Sequence, residues 1–165
     1  MTSKNYLEIV VQTKDLVRAL SFAGSVVEKR NVLSELNNIK LSVQNGALEI
    51  GATDMDLYLR QEIGAEVISE GETTVSTQTL SDIARKIGDE EIRLKQAKDA
   101  DKLEIIGRNC RFELLTLPVT QFPVMQDIDS KAMVEVSCKE FARIVEYTNF
   151  AMSTEETRYN LNGIY

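Results

Sequence analysis

The feature that most constrains this chain of 165 residues is a pattern that returns along its length. A Val-x-Thr-x-x-Leu motif begins at Val11 and begins again 64 positions later at Val75. Two short stretches in which a charged residue lies between two apolar ones follow each motif, at residues 39–41 and 48–50 in the first case and at 92–94 and 103–105 in the second. Because such a repeat indicates one supersecondary unit used more than once, the sequence predicts two similar strand–helix–strands units.

The first unit opens with a strand that leads directly into a helix. Residues 6–12 are rich in β-branched side chains, and we interpret Thr13 as the N-cap of an amphipathic helix over 14–30. The Asn45-Gly46 pair lies between two alternating runs and predicts a β-hairpin. The strands expected after the helix are 37–43, 47–50 and 56–63.

The second unit repeats this order. Residues 73–76 predict a strand, and Thr77 is expected to cap a short helix over 78–88. Gly88 is expected to close that helix, because glycine adopts the left-handed conformation that often follows a helix. The strands expected after it are 91–96, 103–107 and 110–117.

The opening of the chain returns a third time at an offset of 125 positions, without a gap. The predicted third helix spans residues 139–147. The identical pairs include Val11 with Val136, Lys14 with Lys139, and Arg18 with Arg143. The third copy therefore predicts the beginning of a second domain of the same kind.

The segment between the second and third copies contains both prolines of the chain, Pro118 and Pro123, and we interpret it as a linker. The expected organisation is a first domain over 1–120, a linker over 121–131 and the start of a second domain over 132–165.

The third copy stops within a strand that we predict to include Tyr165. The later strands that cover the helix in the first two copies have no counterpart here. We therefore expect a truncated chain whose last part exposes an apolar edge, and which either frays or pairs with another molecule.

Composition excludes several kinds of site within this chain. It contains no histidine, which excludes Ser-His-Asp and Cys-His catalysis, imidazole metal ligands and histidine pH switches. The two cysteines, Cys110 and Cys138, lack the spacing of a zinc or redox motif and are expected to be free thiols of a reducing cytosol. With no run of about 20 apolar residues, a cytoplasmic protein without a membrane partner is expected.

Charge is distributed unevenly between the predicted helices and the rest of the chain. The chain has a net charge of −7, but the three predicted helical segments carry eight basic and five acidic residues. Lys14 and Arg18 are four residues apart and share a helix face, as do Lys139 and Arg143. These faces either are ordinary solvated surfaces or form a mildly basic surface that contacts nucleic-acid phosphates without reading sequence.

Carboxylate chemistry is a weaker possibility. Asp54 and Asp56 are spaced so that they could hold a hard cation, although Asp is also favoured in a turn before a strand for local hydrogen bonding. Phosphate-binding glycine loops and the nucleophile-elbow motif are absent from the sequence. We therefore expect no catalytic residues, no cofactor and no metal, and the alternative to nucleic-acid binding is a repeat-built scaffold that binds protein.

Several motifs resemble, in order and spacing, the β subunit of bacterial DNA polymerase III, the replicative sliding clamp. Two of them together are the most specific, Thr-Leu-Pro with Phe-Pro at 116–118 and 122–123, and Arg-Tyr-x-Leu-Asn-Gly at 158–163. The other matching stretches are 30–38, Thr53-Asp54, Ser81-Asp82-Ile83 and 111–115.

The resemblance implies an α+β DNA-clamp fold, in which paired strand–helix–strands units place helices on one face of antiparallel sheets. It implies a homodimeric ring around double-stranded DNA that raises the processivity of the polymerase and is itself no enzyme. The implied protein partners are the DNA polymerase III catalytic subunit, an ATP-driven clamp loader and other clamp-binding peptides. A chain ending at Tyr165 is not expected to close such a ring alone.

The resemblance and the helix charges together indicate candidate site residues. The predicted DNA-binding residues are Arg30, Gln78, Tyr159 and Asn160 from the resemblance, and Lys14, Arg18, Arg85 and Arg143 from the basic helices. The residues expected at the rim of a groove for partner peptides are Arg158 and Leu161, and those expected at a subunit interface are Ile83, Arg111, Phe112 and Leu114. Without the resemblance, Ile83, Phe112 and Leu114 would be interpreted as ordinary core residues.

Overall fold

The computed structural model describes residues 6–27, 37–97, 101–124, 134–153 and 155–164. The chain separates into two compact units, Met1–Met125 and Gln126–Tyr165. These compact units differ from the two repeat units of the sequence, which both lie within Met1–Met125. Within the described residues, nine strands and three α-helices are formed. The strands are β1 (Glu8–Gln12), β2 (Asn38–Gln44), β3 (Ala47–Thr53), β4 (Tyr58–Gly64), β5 (Glu66–Ser69), β6 (Gly71–Ser76), β7 (Glu91–Gln96), β8 (Lys102–Ile106) and β9 (Arg111–Leu117). The helices are α1 (Thr13–Val26), α2 (Thr77–Lys86) and α3 (Cys138–Asn149).

The predicted repeat of two units is confirmed by the strand register. The strands are hydrogen-bonded in the order β4-β3-β2-β6-β9-β8-β7-β1-β5, and neighbouring strands are antiparallel. Val11 of β1 pairs with Ile92 of β7, and Val75 of β6 pairs with Ile39 of β2. Since Val11 corresponds to Val75 and Ile39 to Ile92 in the repeat, the same pairing is made twice, and each unit contributes its first strand to the sheet of the other.

Two continuous stretches of chain join the sheets of the two units. At one junction β4 pairs with β3 and β5 pairs with β1, and only Ala65 separates β4 from β5. At the other, β9 pairs with β8 through its first residues and with β6 through Thr116 and Leu117. The two end strands of this order, β4 and β5, are therefore joined directly along the chain. The helices pack over strands that come from both repeat units.

The hydrophobic core of the first compact unit, Met1–Met125, lies between the strands and the helices α1 and α2. Helix α1 buries Leu16, Leu20 and Ala23 at the spacing of one helix face, and α2 buries Leu80 and Ala84. The alternate residues of the strands complete this core, as the i, i+2 pattern of β1, β7 and β8 shows. The opposite faces of both helices are left to solvent.

The hairpin and the end of the second helix are confirmed. Asn45 and Gly46 have φ of 53° and 81°, as a two-residue hairpin turn requires, and Gln44 pairs with Ala47 across it. Gly88 has a φ of 72° directly after Ile87, the C-cap residue of α2. Residues 28–30, which were predicted to continue α1, lie outside the described residues.

Both predicted threonine caps are wrong by one residue. The N-cap positions are Gln12, whose side chain makes no cap bond, and Ser76, whose Oγ accepts from the Thr79 amide at 3.4 Å. An N-cap needs an extended backbone, and the last paired residue of each strand already has one. Thr77 instead donates its hydroxyl to the Asn37 carbonyl oxygen at 3.0 Å.

Two connections were also interpreted incorrectly. The sequence predicts no strand between 63 and 73, but β5 lies there and pairs antiparallel with the edge of β1. Phe122 lies within the predicted linker over 121–131, yet it is buried in the first compact unit beside Leu117 and Pro118. A single aromatic side chain was enough to bring that part of the linker against the sheet.

In the second compact unit, the side chain of Ser137 caps the start of α3. Ser137 accepts from the Glu140 amide at 3.2 Å and donates to the Glu140 carboxylate at 3.0 Å. The strand predicted near the end of the third copy is not formed in its described residues up to 164, which follow two short 3-10 turns over Glu156–Leu161 that meet at a kink at Arg158. None of the described strands pairs with residues 162–164, and without a neighbouring strand their backbone groups cannot form a ladder.

None of the helices formed by the described residues is long and apolar enough to cross a bilayer.

Candidate nucleic-acid interface

The outer face of α1 carries the first pair of predicted cations. Lys14 and Arg18 are exposed, one helical turn apart, on the side opposite the buried Leu16 and Leu20. Burial of the apolar stripe therefore orients both cations to solvent. Arg30 lies outside the described residues, as do its neighbours in the segment 28–36.

Helix α2 runs antiparallel beside α1. The amide of Thr13, at the start of α1, donates to the Glu90 carbonyl oxygen beyond the end of α2 at 2.8 Å. At the other end, Ser25 and Val27 line a groove together with Thr77 at the start of α2. Lys14 therefore lies at the same end of the helix pair as the exposed Arg85 and Lys86 of α2, and the predicted Gln78 is exposed nearer the opposite end.

The groove between α1 and α2 has a volume of about 580 Å³ and a polar lining. Gln78 and Arg85, both predicted site residues, line it from α2. The serines that line it are Ser21 and Ser25 of α1, Ser76 at the end of β6 and Ser81 of α2. Sequence reasoning missed these serines, because isolated serines in a helix carry no signal of a shared groove.

The strand cations are all neutralised by carboxylates. The pairs are Lys40 with Glu72 at 2.7 Å, Arg60 with Glu49 at 3.0 Å, Lys95 with Glu8 at 3.5 Å, Lys102 with Glu113 at 2.8 Å, Arg93 with Glu8, and Arg111 with Glu104. Every Lys and Arg of the nine strands is in this set. These opposite charges face each other across neighbouring strands, or nearly so, as is typical of an exposed sheet surface.

The helix cations are in the opposite situation. Lys14, Arg18, Arg85, Lys86, Lys139 and Arg143 form no salt bridge with any other residue of the described segments. An acidic residue precedes each arginine by three positions, as Asp82 precedes Arg85, so an intrahelical pair was within reach and is not formed. The positive charge of the helices thus stays available to an anionic partner.

Two carboxylates of the strand surface, Glu8 and Glu113, have pKa values lowered by neighbouring cations. Burial acts to raise the pKa of Glu8, but the hydrogen bond and charge of Arg93, with Lys95, outweigh it and hold this pKa below its ordinary value. The hydrogen bond and charge of Lys102 lower the pKa of Glu113 as well. The lowered pKa of Glu8 and that of Glu113 both follow from the strand cations beside these carboxylates.

The predicted subunit-interface residues do not share one surface. Phe112 and Leu114 pair with the buried Ile105 and Leu103, so they lie on the core side of the sheet, where Ile83 also packs. Phe112 remains 40% exposed. Arg111 lies on the other side of the strand and pairs with Glu104, because successive strand residues point in opposite directions.

The remaining predicted residues belong to the second compact unit, Gln126–Tyr165. Arg143 is exposed on α3, and Arg158, Asn160 and Leu161 are exposed in the 3-10 helix. Arg158 pairs with Glu155 at 2.8 Å, so it is the one predicted cation of this unit with an acidic partner among the described residues. The backbone of Tyr159 belongs to the same turn, and its side chain lies outside the description.

Asp54 is engaged in local hydrogen bonds. Its Oδ1 accepts from the Asp56 amide at 3.0 Å and from the Leu57 amide at 2.6 Å, which closes the turn between β3 and β4. Groups of three or more potential metal ligands among His, Cys, Asp and Glu do not occur in the described part of the chain. The hydrogen bonds of Asp54 are those of the turn interpretation.

Solved structures define the class of fold. The DNA polymerase sliding clamp from Caulobacter crescentus matches 96% of this chain with a TM-score of 0.90 and 37% identity, and the chain covers 43% of it. A sliding clamp from Bartonella birtlesii, bound to griselimycin, matches with a TM-score of 0.90 and 33% identity over 97% of this chain and 43% of that one. The fold is therefore that of a sliding clamp, and the predicted fold class is confirmed.

The family follows from the sequence comparisons. Residues 7–126 match the family described as DNA polymerase III beta subunit, N-terminal domain, and the chain belongs to this family. The beta sliding clamp of Rickettsia bellii is 58% identical over 159 residues, which are 96% of this chain and 42% of that protein. The corresponding protein of Caulobacter vibrioides is 37% identical over 160 residues, and this chain spans 43% of it.

Proposed function

We propose that this chain is part of a ring-forming sliding clamp that encircles double-stranded DNA and tethers the replicative polymerase. Membership of the beta-subunit family supports this role. The single observation that carries it is the contrast between neutralised strand cations and unpaired helix cations among the described residues. A polyanion is attracted to the surface whose positive charges are not already paired.

In this proposal, the helices face the duplex. Backbone phosphates, which carry no base information, are contacted by Lys14, Arg18 and Arg85 of the first compact unit and by Arg143 of the second. Gln78 and Asn160 add hydrogen bonds, and Arg30 and Tyr159 contribute as the family resemblance implies. Few and weak contacts of this kind hold the ring on DNA without fixing it to one sequence, so that it can slide.

The partner surfaces are proposed on the same basis. Exposed Phe112, with Ile83 and Leu114, is suited to pair with another subunit in a homodimeric ring. Arg158 and Leu161 are proposed at the rim of a groove for peptides from the DNA polymerase III catalytic subunit, the clamp loader and other proteins. The clamp would act in the cytoplasm as an accessory subunit with no catalytic residues of its own.

The first test maps the surface that meets DNA. Amide NMR spectra of the 165-residue chain are recorded while a duplex of about one helical turn is added at about 50 mM salt. We expect shifts on α1 and α2, the same shifts with duplexes of unrelated sequence, and their loss at about 200 mM salt. Shifts confined to the outer surface of the strands would contradict the proposal.

The second test concerns processivity. The full gene product that contains this chain is added with a clamp loader to a primed template and its polymerase. Longer products per binding event are expected, and product length should fall when Phe112 is replaced by a charged residue, since the ring then cannot close. Unchanged product length with and without the protein would reject the processivity role.

A further inference from the structure

The turn between β3 and β4 exposes three large apolar side chains. Met55 is 52% exposed, Leu57 is 54% exposed and Tyr58 is 40% exposed. These residues follow one another along the chain, with only Asp56 between them. Single apolar side chains are ordinary on a protein surface, whereas a contiguous apolar group edged by charged residues is typical of an interaction site.

The backbone of this turn is fixed by local hydrogen bonds. The buried Thr53 accepts the Met55 amide through its Oγ1 at 2.9 Å, and the Asp54 carboxylate accepts the amides of Asp56 and Leu57. The Asp54 amide donates to the Leu57 carbonyl oxygen at 3.3 Å. Every amide of residues 54–57 therefore has an acceptor inside the turn. A surface that is ordered in advance loses little conformational entropy when a partner binds.

Met55 has a backbone conformation that methionine disfavours. Its φ is 86°, in the left-handed region that Gly and Asn occupy more readily. The other non-glycine residue with a positive φ in the described segments is Asn45, which is a favoured type in a hairpin turn. A glycine at position 55 would remove the strain, so folding does not explain an exposed methionine there. Strain of this kind is concentrated at binding sites, and the flexible side chain of methionine adapts to an irregular apolar pocket.

The charges of the turn indicate the kind of partner. Asp54 and Asp56 form no salt bridge in the described part of the chain, and the nearby Arg60 is already paired with Glu49 at 3.0 Å. Two uncompensated carboxylates repel a polyanion, so this turn is unsuited to DNA. They attract instead a protein surface on which Lys or Arg side chains border an apolar pocket.

We propose that the β3–β4 turn is a docking surface for the DNA polymerase that the ring tethers. Met55 and Leu57 enter an apolar pocket of the polymerase, and the two aspartates face the cations at its border. A polymerase has the required chemistry because a protein that holds DNA presents Lys and Arg beside the duplex. The inference rests on the proposed function and deepens it, since it gives the first compact unit a polymerase contact separate from Arg158 and Leu161.

The first test follows the turn by NMR. The 165-residue chain, labelled at its methionine methyl groups, is titrated at about 50 mM salt with the purified polymerase catalytic subunit and, separately, with a short duplex. The Met55 methyl signal is expected to broaden with the polymerase and to stay unchanged with the duplex.

The second test separates binding from folding at Met55. Met55→Gly should weaken polymerase binding more than about tenfold by calorimetry, since a central apolar contact is lost. Its unfolding midpoint in urea should be at least as high as that of the original chain, because the backbone strain is relieved. A residue retained for packing would give a lower midpoint instead. The matched control Ile68→Ser removes an apolar side chain that is 50% exposed on β5 and should leave binding within about twofold.

The third test concerns charge. Asp56→Lys should weaken polymerase binding about tenfold and reduce its dependence on salt, because an attraction becomes a repulsion. Glu62→Lys makes the same change in net charge at an exposed position of β4 and should have less than about a twofold effect.

The outcomes separate this inference from the clamp function. A Met55 methyl signal without response to the polymerase, or unchanged affinity in Met55→Gly and Asp56→Lys, would overturn the docking surface. A signal that moves only when the chain itself is concentrated would assign the turn to a second copy and would also overturn it. In each case the clamp function stands if the full gene product still lengthens the products of the polymerase. A full gene product without any effect on product length would overturn both.

Discussion

In the part of the chain that the structure describes, the strands and the α-helices carry equal numbers of cations in opposite states. Six Lys and Arg residues lie on the strands, and each has a carboxylate partner. Six lie on the helices, and none has one among the described residues. The chain is acidic overall, with a net charge of −7, so a surplus of carboxylates does not by itself neutralise every cation.

The difference shows that the position of a charge decides its role more than net charge does. On antiparallel strands, opposite charges can lie side by side and satisfy each other. On the outer faces of α1 and α2, the acidic residues lie close in sequence but form no pair. An acidic protein can therefore present a local surface that a polyanion prefers.

Reversing helix charges is expected to have the largest effect. Arg18→Glu combined with Arg85→Glu should weaken duplex binding by more than about tenfold at about 50 mM salt. The free energy of unfolding should change by less than about 0.5 kcal/mol, because no salt bridge is lost. Fluorescence anisotropy and urea unfolding measure the two quantities.

The control for this experiment has the same change in net charge on the strands. Arg60→Glu combined with Lys102→Glu should leave duplex affinity within about twofold and lower stability instead. If this control weakened binding as much as the helix variant, net charge rather than its placement would explain the result.

Removing a strand carboxylate is expected to have the converse effect. Glu8→Gln takes the shared partner from Arg93 and Lys95, and the Glu8 side chain is only 16% exposed. We expect a loss of about 1 kcal/mol in the free energy of unfolding, measured in urea, with duplex affinity unchanged. A variant as stable as the original chain would show that this pairing is only a surface arrangement.

Neutralising a single helix cation should change the salt dependence of binding. Arg85→Ala is expected to reduce the slope of log affinity against log salt by about 0.9, the value for one phosphate contact. This corresponds to about a threefold to fourfold difference between 50 and 200 mM salt. Lys102→Ala serves as the matched strand control, and an equal change in its slope would remove the distinction between the surfaces.

The smallest effect is expected in the pH dependence of stability. The pKa of Glu8 is lowered in the folded chain from its ordinary value of 4.5. The unfolded chain therefore binds more protons at this group, so its stabilising contribution is present above pH 4.5 and is lost as the pH falls through the folded-state pKa. Urea unfolding should show the original chain and Glu8→Gln converging in stability below that pH. A constant difference would contradict the assignment.

Periodicity and turn chemistry were sufficient for most of the fold. The repeat at Val11 and Val75 predicted the two units, and Asn45-Gly46 predicted the hairpin, because these are properties of neighbouring residues. The errors lie where distant contacts decide. Strand β5 exists because β1 offers an edge, and Phe122 left the predicted linker because the sheet offered a place to bury it.

The candidate site divides along the same line. The helix cations Lys14 and Arg18 were identified from their spacing in the sequence, since a helix period assigns residues to a face, and Arg85 was identified as a basic residue of a predicted helix. The sequence could not show that these cations stay unpaired while the strand cations are neutralised. It also could not separate Arg111 from its predicted partners Phe112 and Leu114 until the strand register was known.

By itself, then, the sequence determined the repeated units, their helices and strands, and the family to which the chain belongs. Only the tertiary structure decided which charges meet and where the two helices leave space between them. Periodicity is set by bonds along the chain, whereas charge pairing and the groove beside Ser81 depend on atoms that are far apart in sequence. The distances between those atoms are set by the packing of the helices against the strands of both repeat units.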